Sequence, residues 1–192
     1  MKNFKIIIPV YNDWQSLSKL LNNIDNKIKN LTHEISIIII DDASTFDRQL
    51  EIENLSNINS IKILSMKENK GHARCIAAGL KYIFEKEEFD YVIPMDGDGE
   101  DRPEEIIEFI KSSENAPEQT IVGERVKRSE TFIFKFCYFF HKIITLVFTG
   151  HSIKFGNFTC LTKSTVEKMI NEKATWNSFS GALTKVEKNK KT

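Results

Sequence analysis

The chain has 192 residues, enough for one full hydrophobic core, and its 41% apolar and 28% charged content is ordinary for a soluble globular domain. Its 27 basic and 27 acidic residues cancel, which removes any whole-molecule attraction to nucleic acid. Lys185, Lys188, Lys190 and Lys191 make only the last segment locally basic, and that tail is expected to be solvated. Three widely spaced cysteines, Cys75, Cys137 and Cys160, argue against a disulfide framework. Neither they nor His33, His72, His141 and His151 show zinc-ligand spacing, so a reducing, cytoplasmic compartment is expected.

Met1 leads directly into Phe4 to Val10, an isoleucine-rich run that predicts a buried strand ending in a Tyr11-Asn12-Asp13 turn. Asp13 opens a helix whose apolar positions Leu17, Leu20, Leu21, Ile24 and Ile28 recur at helical spacing. Glu34 to Ile40 is a second, almost purely β-branched strand, so strand, helix and strand form a parallel crossover unit. A short third strand is predicted over Ser60 to Ser65, followed by a turn at Asn69-Lys70-Gly71 and a helix from about His72 to Glu85. The fourth strand is Tyr91 to Met95. Pro103 then suits a first helical turn, with Ile106, Ile107 and Ile110 as the buried stripe, and Ile121 to Gly123 gives another strand. Such alternation predicts an α/β architecture with a mostly parallel central sheet and helices on both faces. No internal repeat or linker divides it, so residues 1–192 are expected to form a single domain.

Ligands of open parallel sheets lie beyond the carboxyl ends of the strands, and three such ends carry polar turns here: Pro9 to Asp13, Asp41 to Thr45, and Asp96 to Asp101. Taken singly, Asp42 or Ser44 also suits a helix cap, and the Asp-Gly pairs of the third turn also suit a hairpin. Taken together, the carboxylates would repel one another unless a cation offsets them, and oxygen ligands of this kind suit Mg²⁺ or Mn²⁺.

Four segments then resemble, in order and spacing, the inverting glycosyltransferases of family 2, with a GT-A (Rossmann-like) fold, and particularly the dolichyl- and undecaprenyl-phosphate sugar transferases. They are Ile8 to Asp13, Ile40 to Thr45, Asn69 to Ala73 with Gly79-Leu80, and Met95 to Asp98 with Pro103-Glu104. The resemblance implies a nucleotide-sugar donor, UDP- or GDP-linked, and a lipid-phosphate acceptor. Pro9, Tyr11 and Asp13 would bound the nucleotide, and Asp42, assisted by Asp41, would accept hydrogen bonds from base or ribose. Lys70 and Gly71 belong to the same donor site. Asp96 and Asp98 would hold the metal that bridges the diphosphate, and Arg125 would lie near the acceptor phosphate; an ordinary surface arginine is the alternative there. About residues 1–125 would bind the nucleotide sugar and about 126–192 would face the acceptor.

Phe155-Gly156-Asn157-Phe158, leading through Lys163 into a helix, is similar to the family's Gly-Asp-Phe-Arg segment, but Asn157 replaces the acid and Thr159 the arginine. An amide cannot act as a general base. An anionic phosphate acceptor needs little such help; a hydroxyl acceptor would leave Glu100 or Asp101 as the nearest carboxylates. The aromatic segment Thr131 to Thr149 falls short of a membrane span and reads as a core helix, a helix lying at the cytoplasmic face of a membrane, or a homodimer surface. Its presence favours the expectation of a longer protein continuing past Thr192 over that of a short soluble member. A glycan- or protein-directed transferase, a nucleotide-sugar-binding module without turnover, and a phosphoacceptor domain are the competing readings. A sugar-nucleotide pyrophosphorylase is disfavoured because Pro9-Val10-Tyr11-Asn12 lacks that class's glycine- and arginine-rich loop.

Overall fold

A computed structural model of the chain describes residues 1–50, 55–124, 155–188 and 190–191. Arg125 and the aromatic segment 131–149 lie outside the described residues. Strands β1 (Asn3–Val10) and β2 (Glu34–Asp41) are buried along almost their whole length. Their unbroken isoleucine runs follow from helices covering both sheet faces. Ile6, Ile8, Ile37 and Ile39 face α1 (Trp14–Ile28) and α3 (Pro103–Asn115), where Leu17, Leu21, Ile24, Ile106 and Phe109 complete one core. Alternation sends Ile7, Ile38 and Ile40 to the opposite core, against Ile76, Leu80 and Ile83 of α2 (His72–Lys86).

With β3 (Ser60–Ser65), β4 (Tyr91–Pro94), β5 (Thr120–Glu124), β6 (Phe155–Thr162) and β7 (Lys190–Lys191), the sheet runs β3-β2-β1-β4-β6-β5-β7. Strands β3, β2, β1 and β4 are parallel, β6 is antiparallel to both its neighbours, and β7 runs parallel to β5. The predicted α/β fold, a mostly parallel sheet between helices, is therefore observed. The chain builds outward from β1 to β3 and then returns to place β4 on the other side of β1. In open α/β sheets ligands bind at such a reversal, which here falls between the carboxyl ends of β1 and β4. Helices α4 (Lys163–Asn171) and α5 (Phe179–Val186) add Val166, Met169, Ala182 and Leu183 to the core beneath α2.

Two local expectations are corrected and one segment is extended. In α3 the buried stripe is Ile106, Phe109, Ile110 and Ser113, the i, i+3, i+4, i+7 set, so Ile107 is only partly covered. The segment from Phe155, for which no strand was expected, is the interior strand β6, and it leads into α4 at Lys163 as the sequence suggests. The basic tail is not simply solvated: Lys190 and Lys191 pair with Thr120 and Ile121, and the half-buried Lys190 ammonium lies 5.7 Å from the Phe155 ring centroid. Burial pulls the Lys190 pKa below the ordinary lysine value. Among the described residues, no helix is long and apolar enough to cross a membrane.

One buried carboxylate ties α1 to the loop before β3. Asp25 Oδ1 accepts the backbone N–H groups of Asn57 (2.8 Å) and Ile58 (2.9 Å), and Oδ2 accepts Asn57 Nδ2 (2.8 Å). Burial raises its pKa, but these donors outweigh burial and hold it below the ordinary aspartate value. Because the folded-state value is the lower one, the stabilisation is present above about pH 4 and is lost as pH falls through the folded value. Replacement of Asp25 by Ala is expected to destabilise the fold by on the order of 3 kcal/mol, since two buried amides lose their acceptor. Denaturant titration at pH 7 checks the magnitude; a loss below about 1 kcal/mol would show that water replaces the carboxylate.

Candidate active site

Four loops meet at the carboxyl edge of the sheet, and hydrogen bonds between them set their relative positions. After β1, Asn12 takes a left-handed conformation (φ 59°), which a short polar side chain tolerates better than a β-branched one. Its carboxamide oxygen accepts the N–H groups of Thr45 (2.8 Å) and Phe46 (3.0 Å), and its own N–H donates to Ser44 Oγ (2.9 Å). The loop after β1 is thereby fastened to the loop after β2. Asp13 caps α1, Oδ1 accepting Ser16 N–H at 3.1 Å, while Tyr11 projects outward, 48% exposed. Pro9 lies within β1 itself.

Both aspartates of the second loop are buried and occupied. Asp41 Oδ1 accepts Ser44 N–H and Oδ2 accepts Arg48 Nη2, each at 2.9 Å. Burial would raise the Asp41 pKa, but bonds from Ser44 and the Arg48 guanidinium hold it below the ordinary value. Arg48 also donates to Ser65 Oγ and lies 5.7 Å from the Trp14 ring centroid, spanning the ends of β2 and β3. Asp42 accepts Lys70 N–H at 2.7 Å on one oxygen and Gly71 N–H at 2.8 Å on the other. Asp42 thus shapes the turn that delivers α2, and Gly71 meets it at φ 83°, a conformation that favours glycine. The Lys70 ammonium pairs with Glu68 at 2.5 Å.

The acidic loop after β4 folds on itself. Asp96 N–H donates to Asp101 Oδ2 and Glu100 N–H to Asp98 Oδ1, both at 2.9 Å. Gly97 permits the loop to lie on β1, because a Cβ there would sit 2.9 Å from the Pro9 carbonyl oxygen. Asp96 and Asp101 are half-buried, whereas Asp98 and Glu100 are exposed at the rim. His72, the first residue of α2, places Nε2 2.8 Å from Asp96 Oδ1. The adjacent Asp96 carboxylate, opposed by burial and aided by the Asp101 and Asp98 charges, raises the His72 pKa above its ordinary value.

Asn157 lies on β6, half-buried. Because β6 runs antiparallel to β4, with Tyr91↔Thr162 and Val92↔Leu161, its first residues, Asn157 among them, lie toward the carboxyl end of β4. Among the predicted site residues, Pro9, Tyr11, Asp13, Asp41, Asp42, Lys70, Gly71, Asp96, Asp98, Glu100, Asp101 and Asn157 therefore share one edge of the sheet. The contributions of Arg48, His72 and Asn12 were not anticipated, and no local pattern announces the first two.

Among the described residues, no group of three or more His, Cys, Asp or Glu side chains is arranged to cage a metal. Magnesium-like ions bound with substrate phosphates use only one or two carboxylates, however. Asp98, exposed at the rim with Oδ1 steadied by Glu100 N–H, fits that mode, with Asp96 behind it.

The model of the family described as "Glycosyl transferase family 2" matches residues 5–177. The chain belongs to glycosyl transferase family 2. As a family 2 chain it is a glycosyltransferase-type protein on a GT-A-like fold, resembling the polyprenyl-phosphate sugar transferases at low identity. The undecaprenyl-phosphate 4-deoxy-4-formamido-L-arabinose transferase of Proteus mirabilis is 32% identical over 122 residues, covering 62% of this chain and 36% of that protein. The chain thus spans well under two thirds of that relative's length. Among solved structures, S. aureus TarS 1-349 superposes with a TM-score of 0.63 at 16% identity, covering 98% of this chain and 57% of that one. The Pyrobaculum calidifontis mannosyltransferase PcManGT, in complex with GDP-Man and Mn²⁺, gives 0.56 at 15% identity, covering 88% and 46%. These two likenesses concern the fold.

Proposed function

We propose that this chain carries the donor-binding and reacting part of a metal-dependent inverting glycosyltransferase that moves a sugar from a nucleotide sugar to a polyprenyl phosphate. One observation carries the reading: in a family 2 chain, four strand-end loops are cross-tied around a crevice that presents Asp98 at its rim. About residues 1–125 would bind the donor and about 126–192 would face the acceptor. Pro9 and Tyr11 line the nucleotide side, while Asp41 and Asp42 act mainly by fixing the loops there, their oxygens already taken by Ser44, Arg48, Lys70 and Gly71. Asp98, supported by Asp96, would hold Mg²⁺ or Mn²⁺, which offsets the negative charge that builds on a departing diphosphate.

The acceptor assignment rests on the chemistry of the crevice and on the resemblance. Asn157, on β6 toward the carboxyl end of β4, cannot remove a proton, which suits an acceptor that is already an anion. For a hydroxyl acceptor the candidate base would be Glu100, exposed at the rim, or Asp101, which also accepts Asp96 N–H. Arg125 remains the proposed contact for the acceptor phosphate. A membrane-facing location at the cytoplasmic side follows from such an acceptor.

The test is release of nucleoside diphosphate from UDP- and GDP-sugars with Mn²⁺ or Mg²⁺, with and without a short polyprenyl phosphate. Release that needs both metal and lipid phosphate is expected. Binding of nucleotide sugars without release in any combination would instead identify a binding module.

A further inference from the structure

The half-exposed ion pair between His72 and Asp96 is not explained by the local structure of either residue. A cation at the first position of a helix faces the positive end of the helix dipole, so α2 itself disfavours a protonated imidazole there. Its partner, Asp96, stands at the head of a loop that also carries Asp98 and Asp101, where further negative charge is unfavourable. Each element is therefore electrostatically awkward alone and relieved by the other. The pair also ends a chain of bonds across the crevice: Asp42 holds the Lys70 and Gly71 amides, Gly71 delivers His72, and His72 Nε2 holds Asp96 Oδ1 at 2.8 Å. From the other side, Asp96 N–H is fastened to Asp101 Oδ2. Asp98, two residues on, is thus aimed by a loop clamped at both its side chain and its backbone.

Resting on the glycosyltransferase reading above, we propose that His72 is a positioning residue which acts through Asp96 to aim Asp98 at a divalent cation and the donor diphosphate. Groups that support metal ligands in this way typically contribute 10- to 100-fold in metal affinity. A partner role of this kind differs from simple support of the fold, because it appears only in the metal-dependent part of binding.

The experiment measures UDP and GDP binding by calorimetry, with and without Mn²⁺, for the wild type, His72→Ala and His72→Gln. His72→Ala is expected to weaken the Mn²⁺-dependent binding by roughly 10- to 100-fold and metal-free binding by far less. His72→Gln, which keeps an N–H donor toward Asp96, is expected to recover most of the loss. Wild-type affinity in His72→Ala, or equal loss with and without Mn²⁺, would overturn the proposal. Should the alanine variant fail to fold, His72→Gln decides alone: near-wild-type binding supports the role, and a loss of Mn²⁺-dependent binding in a folded glutamine variant overturns it. A wild type that binds neither nucleotide with Mn²⁺ would remove the glycosyltransferase reading itself, which separates the two failures.

Discussion

Replacing Asp98 by Asn is expected to abolish Mn²⁺-dependent nucleotide binding and to lower turnover by roughly 100-fold or more, the range seen when one group that stabilises developing charge is lost. The substitution is close to isosteric and keeps an oxygen able to accept Glu100 N–H, so the loop has no steric reason to move. Asp98 is exposed at the rim, and its stability effect should stay within about 0.5 kcal/mol. The same exchange at Asp96 would confuse two effects, because that carboxylate also holds His72. Calorimetric titration of UDP and GDP with and without Mn²⁺ checks the expectation, and unchanged affinity in the variant would remove the metal assignment.

The second large effect is expected from Gly97→Ala. The added methyl group would lie 2.9 Å from the Pro9 carbonyl oxygen and 3.3 Å from Ile8 Cγ2. The first of these neighbours is backbone of a buried strand that pairs with β2 along its whole length and cannot yield cheaply, so the acidic loop must shift instead. Overpacking of this kind costs about 1–3 kcal/mol. The effect on transfer should be larger than that on stability, because a displacement of about 1 Å at a reacting centre can lower the rate by roughly 100-fold. A folded Gly97→Ala protein with wild-type rates would mean that the contact with β1 does not set the geometry of Asp96 and Asp98.

Most of the sheet was legible because its order is written in local patterns. The isoleucine runs of β1 and β2, the helical spacing of Leu17, Leu20, Leu21, Ile24 and Ile28, and Pro103 at a helix start each act within a few residues. Strand β6 was not legible: Phe155 to Thr162 mixes Gly156, Asn157, Thr159 and Thr162 with only a few apolar residues. Its burial comes from its place between β4 and β5, not from its own hydrophobicity. Buried hydroxyls help to satisfy this half of the sheet, Thr120 Oγ1 donating to Thr165 Oγ1 at 2.8 Å and Thr162 Oγ1 at 3.1 Å from the same atom. The two lysines of β7 show the same effect, since a neighbouring strand edge gives them a structure that their charge argues against.

At the candidate site, the spacing of aspartates was visible in the sequence, whereas the partner of each carboxylate was not. Asp42 reads as a residue that accepts from ligand or caps a helix, yet its oxygens take the amides of Lys70 and Gly71, nearly thirty residues away. His72 reaches Asp96 only because the strand order sets their loops side by side, whereas Arg48 folds back onto Asp41 within the loop that follows β2. Such pairings depend on topology, so a run of acidic residues can be recognised as a site before its division of labour is known. In the structure Asp41 and Asp42 are buried with their oxygens on loop donors, while Asp98 is exposed at the rim.

The most direct measurement is a crystal structure of the protein soaked with Mn²⁺ and a UDP- or GDP-sugar. The account predicts the diphosphate in the crevice between the ends of β1 and β4, with the cation on Asp98 and His72 still against Asp96. A nucleotide bound elsewhere, or an ordered donor in the crevice with Asp98 turned away and no cation beside it, would contradict it.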